Sequence, residues 1–298
     1  MNVPVRDLVR ALRPKQWTKN AVVFAAFVFA LGDTQQQVAV ANFWYVLCAT
    51  ICFCLVSSGV YLINDSRDAE ADRLHPQKKY RPIASGAVPV AMAVAAGISL
   101  IAGSTVLGFA LRLELAVVLL GYVALQLAYT FLLKHWPMID LLVIATGFVL
   151  RALAGAVVID VDVSAWLLVC AFLLAVFLAL CKRRQEFVQA DLAGTTGVHI
   201  RKSLAHYDER LLDQFIAIVA SATLVCYVIY TLAPETVDKF GTHHLGFTLP
   251  FVLYGLFRYL MLVYRYDLGE RPEQVLLTDL PTLVNLALYG AAVLMIIL

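Results

Sequence analysis

An asparagine and three aspartates stand close together where an apolar run of the sequence ends. They are Asn64, Asp65, Asp68 and Asp72, within the segment YLINDSRDAEADR. Their spacing puts the three aspartates on one face of a helix, where carboxylates repel one another unless a cation joins them. An oxygen-only ligand set suits Mg²⁺ bridged to substrate phosphates. The motif therefore predicts a metal site at Asn64, Asp65, Asp68 and Asp72, with the three aspartates as catalytic residues.

Basic residues follow the aspartates within the same polar stretch. Lys78 and Arg81 come soon after Asp72, together with His75 and Lys79. A solvated acidic helix end would explain a single aspartate, but clustered charge at the end of an apolar segment is costly and usually functional. We therefore expect Lys78 and Arg81 to bind phosphate oxygens that the metal leaves free.

The composition excludes a water-soluble globular protein. Of the 298 residues, 61% are hydrophobic and 15% are charged, and the mean hydropathy is +0.80. A soluble domain carries roughly 45–50% apolar and about 25% charged residues. Apolar runs continue to the last residue, and no hydrophilic stretch is long enough to fold separately. We expect an all-α integral membrane protein with a single domain, 1–298.

Nine apolar runs meet or approach the length of about 20 residues that a helix needs to cross a bilayer. They lie near 18–32, 43–63, 88–110, 113–133, 138–158, 164–181, 213–233, 246–264 and 280–298. The first is short and follows a basic amphipathic segment, 1–17. The sequence therefore predicts nine transmembrane helices.

Lys and Arg residues are distributed unequally between the two predicted sides. With the N-terminus in the cytoplasm, all but four of the 23 fall on the cytoplasmic side, the exceptions being Arg112, Arg151, Lys239 and Arg258. The positive-inside rule then predicts a multi-pass protein of the plasma (inner) membrane, with its C-terminus on the opposite side. Two polar cytoplasmic loops, 64–87 and 182–212, are expected to carry the active site.

The aspartate motif resembles the signature of a known family. NDSRDAEAD matches the NDxxDxxxD pattern of the UbiA superfamily of intramembrane prenyltransferases, and RPIASG at 81–86 resembles its basic continuation. The resemblance runs over nearly the whole chain. It implies a nine-helix bundle with a cytoplasmic active site, in which Mg²⁺, or alternatively Mn²⁺, holds a substrate diphosphate.

The second polar loop departs from the pattern of classical members, which carry a second aspartate-rich motif there. It begins with Lys182, Arg183 and Glu186 instead of a compact acidic motif. Such a basic cluster favours a donor with an additional phosphate, as in phosphoribosyl diphosphate (PRPP). Several segments are similar to the polyprenyl-phosphate phosphoribosyltransferase branch, which includes decaprenyl-phosphate enzymes: RPKQWTKN (13–20), QLAYTFLLKH (126–135), GFVLRALAGA (147–156), KRRQE (182–186) and IRKSLAHY (200–207).

This branch implies transfer of 5-phosphoribose from PRPP to a polyprenyl phosphate, releasing diphosphate. The product, polyprenylphosphoryl-5-phosphoribose, would be a lipid-linked precursor for cell-envelope arabinose. The lipid phosphate is already an anionic nucleophile, so no general base is required, and a metal would stabilise charge on the leaving diphosphate. The expected partners are PRPP, the lipid phosphate and the membrane, without nucleic acid. Homo-oligomerisation stays open.

Five further residues are candidate substrate contacts, each with an ordinary structural interpretation beside it. Lys19 lies in the RPKQWTKN segment but also suits the positive-inside rule, as does Lys134. Tyr129 and Tyr207 suit an interfacial aromatic belt. Arg151 lies within a predicted span, where an unpaired Arg is expensive, so it requires either a buried acid or a substrate phosphate. We expect the phosphate.

Two other functions fit parts of the sequence. A superfamily member could instead move a prenyl group from a prenyl diphosphate to an aromatic acceptor. A transporter would place charges near the middle of the bilayer and show repeated, broken helices. Here the charges cluster at one face and no inverted repeat is visible, so the transporter is the remote alternative.

Overall fold

All described secondary structure of the chain is helical. The computed structural model describes residues 4–36, 38–74, 77–192, 206–269, 275 and 278–298. In chain order the α-helices are α1 (Val5–Ala11), α2 (Ala25–Ala30), α3 (Asn42–Arg67), α4 (Ala69–Leu74), α5 (Val90–Leu111), α6 (Leu113–Phe131), α7 (Ile139–Ile159), α8 (Ala165–Leu192), α9 (Glu209–Leu232), α10 (Pro234–Phe240), α11 (Leu249–Tyr266) and α12 (Leu280–Ile297). Shorter 3-10 helices cover Pro14–Phe24, Lys78–Tyr80, Leu133–His135 and His244–Thr248.

Eight of the described helices are long and apolar enough to cross a membrane. They are α3, α5, α6, α7, α8, α9, α11 and α12, and they match the last eight of the nine predicted spans. In lipid, a helix satisfies all its backbone groups internally, which is why a long apolar run forms one. The prediction of an all-α, multi-pass membrane protein is confirmed.

The first predicted span, 18–32, is built differently from the others. It is covered by the 11-residue 3-10 helix Pro14–Phe24 followed by the 6-residue α2. Because a 3-10 helix rises about 2.0 Å per residue and an α-helix about 1.5 Å, the two pieces extend over roughly 30 Å. That length is close to the thickness of the hydrocarbon core. The nine-helix count therefore holds approximately, with one crossing made in two pieces.

One expected boundary is wrong. Residues 182–192 belong to α8 and not to a loop beginning at 182, so the helix continues about three turns beyond the predicted span. Charged side chains at spacings of three and four residues pair along this extension, and such pairs stabilise a helix. The rest of that predicted loop, 193–205, lies outside the described residues, as does His75 of the first loop.

Glycines allow two very close helix contacts. A Cβ at Gly155 of α7 would lie 1.8 Å from the carbonyl oxygen of Val23, so the 3-10 helix Pro14–Phe24 can pack there only against glycine. A Cβ at Gly59 of α3 would similarly lie 2.7 Å from the carbonyl oxygen of Gly97 in α5. Small residues of this kind let helix backbones approach closely in membranes.

Helix α7 connects two groups of buried side chains. It contributes Ala154 to a core that contains Phe53 and Leu119, and Ala145 to a second core with Phe177 and Leu212. Short connections make consecutive long helices antiparallel. The C-terminal ends of α3, α6 and α8 therefore lie at the same face as the N-terminal ends of α5, α7 and α9.

Candidate active site

Asp65 of α3 is held by an arginine from the N-terminal segment. Arg13 donates from Nη2 to both carboxylate oxygens, at 2.5 and 2.8 Å, and from Nε at 3.1 Å. The Asp65 side chain is 5% exposed and that of Arg13 is 25% exposed. Arg13 has φ 55°, a left-handed conformation that costs a non-glycine residue on the order of 1–3 kcal/mol. The surrounding contacts must therefore hold this residue in place.

A second arginine joins two of the aspartates. Nη1 of Arg81 donates to Asp65 at 3.2 Å and to Asp72 at 2.6 Å. The Asp72 side chain is 7% exposed, and that of Arg81 is 28% exposed. Although α3 and α4 are separate helices, Asp65 and Asp72 thus face the same guanidinium. The expected single helix carrying the three aspartates is therefore interrupted after Arg67, although two of the carboxylates still meet at one guanidinium.

The remaining members of the motif contact the end of α6. The buried Nζ of Lys134 donates to Asp68 at 2.6 Å, and the hydroxyl of Thr130 donates to Asn64 Oδ1 at 3.2 Å. We call the three carboxylates of Asp65, Asp68 and Asp72, with Arg13, Arg81 and Lys134, the aspartate cluster. It joins four separate segments of the chain into one charged site.

The aspartate cluster suits a hard divalent cation. Within the described part of the chain, no three His, Cys, Asp or Glu side chains are already arranged around one point. The oxygen donors of the motif are nevertheless those that Mg²⁺ prefers. The guanidinium of Arg81 already lies between Asp65 and Asp72, because its Nη1 contacts both carboxylates. The residues that would hold a metal are Asn64, Asp65, Asp68 and Asp72.

The basic residues of α8 are paired with acids of α7, α9 and α8 itself. Arg183 donates to Asp140 of α7 from Nε at 3.1 Å and Nη2 at 2.9 Å, and from Nη1 to Glu186. The Asp140 side chain is 0% exposed and that of Arg183 is 4% exposed. All three guanidinium nitrogens of Arg183 are therefore engaged within the protein.

Arg184 is paired in the same way. It donates to Glu209 and to Asp213 of α9, each at 2.6 Å, and its guanidinium lies 4.1 Å from the centre of the Tyr264 ring. Lys182 is more exposed, at 44%, and lies 4.0 Å from Glu186. We call these three basic residues and their four acidic partners the α8 cluster: Lys182, Arg183, Arg184, Asp140, Glu186, Glu209 and Asp213.

Tyr207 supports the start of α7. Its buried hydroxyl accepts a hydrogen bond from the backbone N–H of Met138 at 2.6 Å, and burial raises the pKa of this phenol. Met138 has φ 64°, and it immediately precedes the first helical residue, Ile139. The candidate substrate contact of Tyr207, with ribose or phosphate, stays a prediction; in the structure its hydroxyl has a backbone partner.

Arg151 lies among neutral partners inside the bundle. It donates to Asn20 Oδ1 at 2.7 Å, to the carbonyl of Gly147 at 2.7 Å and to the Tyr122 hydroxyl at 3.0 Å. Aromatic rings of Phe53, Tyr122 and Phe148 surround the guanidinium. Among the described residues, neither an acid nor an accessible face for a phosphate adjoins Arg151, so its phosphate contact also stays a prediction.

The other predicted contacts occupy different parts of this end of the molecule. Lys78 is exposed on the 3-10 helix that leads to Arg81. Tyr129 is half-buried in the last turn of α6, near Arg183. Lys19 is half-buried in the 3-10 helix Pro14–Phe24. The structure therefore unites Arg81 and Lys134 with the aspartates, and Glu186 with Lys182 and Arg183.

Several residues of these networks were not predicted from the sequence, and three of them are instructive. Arg13 and Asn20 belong to the RPKQWTKN segment, in which we expected Lys19 to be the contact residue. Asp140 lies at the start of a predicted span, where an acidic side chain is costly without a partner. That rule could have identified Asp140, and the basic segment could have suggested Arg13, but neither reveals the partner.

The sequence of this chain is similar to those of known proteins. The profile of the UbiA prenyltransferase family matches residues 21–278. A protein of Mycolicibacterium smegmatis named decaprenyl-phosphate phosphoribosyltransferase is 37% identical, over 92% of this chain and 87% of its own length. Proteins of the same name from Corynebacterium glutamicum and Mycobacterium tuberculosis are 38% identical, over 91% of this chain and 81% of theirs, and 36% identical, over 97% and 95%.

The fold is also similar to solved structures. The structure of a UbiA homolog from Archaeoglobus fulgidus bound to GPP and Mg²⁺ has a TM-score of 0.71 and 19% identity. The match covers 98% of this chain and 99% of that one. A structure of that homolog bound to Cd²⁺ has a TM-score of 0.68. At this level of identity, the similarity shows the common fold.

Proposed function

This chain belongs to the UbiA prenyltransferase family, and from that premise we propose that it transfers 5-phosphoribose from PRPP to a polyprenyl phosphate. The observation that carries the proposal is its 36–38% identity, over more than nine tenths of this chain, to proteins named decaprenyl-phosphate phosphoribosyltransferase. The carrier is therefore of the decaprenyl type. The aspartate cluster supports the same conclusion, because it offers oxygen ligands beside cations that can bind phosphate.

The reaction is a single displacement at the anomeric carbon of PRPP. A lipid phosphate oxygen forms the new bond to that carbon, and the bond to the diphosphate oxygen breaks with its electron pair leaving on diphosphate. The lipid phosphate is already an anion, so the chain supplies positioning and charge stabilisation in place of a base. Displacement of this kind predicts inversion at the anomeric carbon.

Each member of the aspartate cluster has a proposed role in that displacement. Asn64, Asp65, Asp68 and Asp72 hold Mg²⁺, or Mn²⁺ in its place, which when bound stabilises negative charge on the diphosphate. Arg81 and Lys134 stand beside the carboxylates. They are placed to bind diphosphate oxygens once those carboxylates have another cation. Charge-assisted hydrogen bonds of this kind are the strong ones.

We place this reaction at the cytoplasmic face of the plasma (inner) membrane. The unequal distribution of Lys and Arg supports a cytoplasmic N-terminus, and both charged clusters lie at the face where α3, α6 and α8 end. A water-soluble donor and a membrane-bound acceptor can meet at such an edge. The lipid-linked product would serve as a precursor for arabinose in envelope polymers.

The test uses purified protein in detergent with Mg²⁺, a polyprenyl phosphate and PRPP labelled in the ribose. We expect label in the organic phase with the wild-type protein and none above background with Asp68→Ala. Glu70→Gln, an exposed acid of α4, is the matched control and should keep full activity. Turnover of a prenyl diphosphate with an aromatic acceptor, without lipid-borne label from PRPP, would overturn the proposal.

A further inference from the structure

A cleft beside the aspartate cluster is lined by three arginines. It has a volume of about 200 Å³ and is bounded by Arg10, Ala11, Arg13, Asp65, Gln77, Tyr80, Arg81 and Pro82. One water molecule occupies about 30 Å³ in the liquid, so the space is large enough for a polar group of several atoms. Three guanidinium groups against one carboxylate make it a site for an anion.

The arginines of this cleft keep donors for a ligand. Within the described part of the chain, Arg13 makes its side-chain hydrogen bonds through Nε and Nη2, and Arg81 through Nη1. Arg10 is exposed and makes no side-chain hydrogen bond or ion pair to a described residue. One edge of each paired guanidinium and all of Arg10 therefore remain for a phosphate, which suits the fork of an arginine.

The two arginines of the α8 cluster have no such capacity. Arg183 engages all three of its nitrogens with Asp140 and Glu186, and its side chain is 4% exposed. Arg184 is 9% exposed, and two acids and an aromatic ring cover it. A phosphate could bind these buried arginines only by displacing their carboxylate partners, including the fully buried Asp140, which is expensive.

We propose that the Arg10–Arg13–Arg81 cleft binds a phosphate monoester, distinct from the diphosphate held at the aspartates. The inference rests on the proposed function and places the additional phosphate away from the Lys182–Glu186 segment, where the sequence predicted it. Two substrates of the reaction carry such a group: the donor has a 5-phosphate and the acceptor is a lipid phosphate. Asp65 lines the cleft and belongs to the aspartate cluster, so the two phosphate sites adjoin.

The experiment compares Arg10→Gln with three other variants. Arg6→Gln changes a charge one turn earlier on α1, outside the cleft, and Lys182→Gln removes the exposed lysine of the α8 cluster. Arg10→Lys keeps the positive charge at the same position. Displacement of labelled PRPP from purified protein is measured with ribose 5-phosphate and with inorganic diphosphate, and the KM for polyprenyl phosphate is measured separately.

If the cleft binds the 5-phosphate, about tenfold more ribose 5-phosphate is needed to displace labelled PRPP from Arg10→Gln than from wild type. A loss of affinity of this size is expected when one hydrogen bond to a charged group is removed. The concentration of diphosphate needed for displacement should stay within about twofold of the wild-type value. Arg10→Lys should recover part of the lost affinity. Arg6→Gln and Lys182→Gln should match wild type. A raised KM for the lipid, with ribose 5-phosphate unaffected, would assign the cleft to the acceptor phosphate. An unchanged Arg10→Gln, or a loss confined to Lys182→Gln, would overturn the proposal.

Failure of the proposed function would be visible separately. In that case the wild-type protein would bind no PRPP and transfer no label. Thermal stabilisation by inorganic phosphate would then be the probe of the cleft. Stabilisation of wild type that Arg10→Gln lacks would retain the phosphate site, and its absence in wild type would overturn it.

Discussion

Arg81 and Arg184, from two clusters at the same end of the helices, differ from their acidic partners in burial in opposite ways. In the aspartate cluster the carboxylates of Asp65 and Asp72 are 5% and 7% exposed, whereas the cation of Arg81 is 28% exposed. In the α8 cluster the cation of Arg184 is 9% exposed, while its partners Glu209 and Asp213 are 51% and 38% exposed. In these pairs the anions are buried in the aspartate cluster and the cation is buried in the α8 cluster. The Lys134–Asp68 and Arg183–Asp140 pairs do not follow this pattern, because the cation Lys134 and the anion Asp140 are buried.

This difference indicates which partners can be exchanged. A buried charge whose partner is removed is strongly destabilised, whereas a partly exposed charge returns to water at little expense. The aspartates can therefore exchange Arg13 and Arg81 for another cation while the arginines turn to phosphate. Arg183 and Arg184 cannot leave their acids so easily. The comparison assigns substrate chemistry to the aspartate cluster and structural support to the α8 cluster.

The largest expected effect is the loss of an aspartate. Asp68→Ala should lower phosphoribosyl transfer by about a thousandfold or more, because stabilisation of the leaving diphosphate by a metal is worth several kcal/mol. Its melting temperature should fall moderately, because the buried Lys134 loses its ion pair with Asp68, so rates are compared on protein shown to be folded. Initial rates and thermal melts measure the two effects. Equal losses with Glu70→Gln would contradict the specific role of the motif.

The next effect concerns stability and belongs to the α8 cluster. Arg183→Gln should destabilise the protein by about 3–5 kcal/mol, because it leaves the buried carboxylate of Asp140 without its ion pair. Adding Asp140→Asn should restore part of that loss, as in a double-mutant cycle. Thermal melts in detergent measure both. An Arg183→Gln variant with unchanged stability but no PRPP binding would contradict the structural role of the α8 cluster.

A smaller effect is expected at Arg13, where one substitution should strengthen the binding of metal and weaken the binding of PRPP. Arg13→Gln removes a cation that competes for Asp65, so Mn²⁺ without substrate should bind about threefold more tightly, a change well under 1.4 kcal/mol. PRPP should bind about tenfold more weakly, because a phosphate contact is lost at the same time. Electron paramagnetic resonance of Mn²⁺ and equilibrium binding of labelled PRPP measure the two. Losses of both affinities would indicate a structural role instead.

The smallest effect is expected at Tyr207. Tyr207→Phe removes the acceptor for the Met138 N–H and should destabilise the start of α7 by about 1–2 kcal/mol. The KM for PRPP should change less than about threefold if the hydroxyl only supports the backbone. Thermal melts and steady-state kinetics separate the two. A tenfold rise in KM with unchanged stability would restore the ribose contact that the sequence predicted.

Much of the fold could be predicted from the sequence because the bilayer restricts the choices. A crossing helix needs about 20 apolar residues and leaves no backbone group unpaired, so eight spans followed directly from hydropathy. The two-piece first crossing could not be predicted, because it depends on a contact between Val23 and Gly155. The extension of α8 past residue 181 was missed, because its charged side chains suggested a loop.

The candidate site could be predicted only where its residues are neighbours in sequence. Asn64, Asp65, Asp68 and Asp72 form a local motif, so their spacing alone indicates a metal site. The ion pair of Arg13 with Asp65 joins residues 52 apart, and that of Asp140 with Arg183 joins residues 43 apart. Helix packing selects such partners. Composition and periodicity therefore identified the charged residues without showing which of them form ion pairs with one another.

The most direct test is Mn²⁺-dependent binding of labelled PRPP to three purified proteins: wild type, Asp65→Asn and Glu186→Gln. Each variant replaces one carboxylate, in the aspartate cluster and in the α8 cluster respectively. We predict that Asp65→Asn loses the Mn²⁺-dependent binding and that Glu186→Gln keeps it within about threefold, a difference under 1.4 kcal/mol. Retained binding in Asp65→Asn together with its loss in Glu186→Gln would contradict the assignment of substrate chemistry to the aspartate cluster.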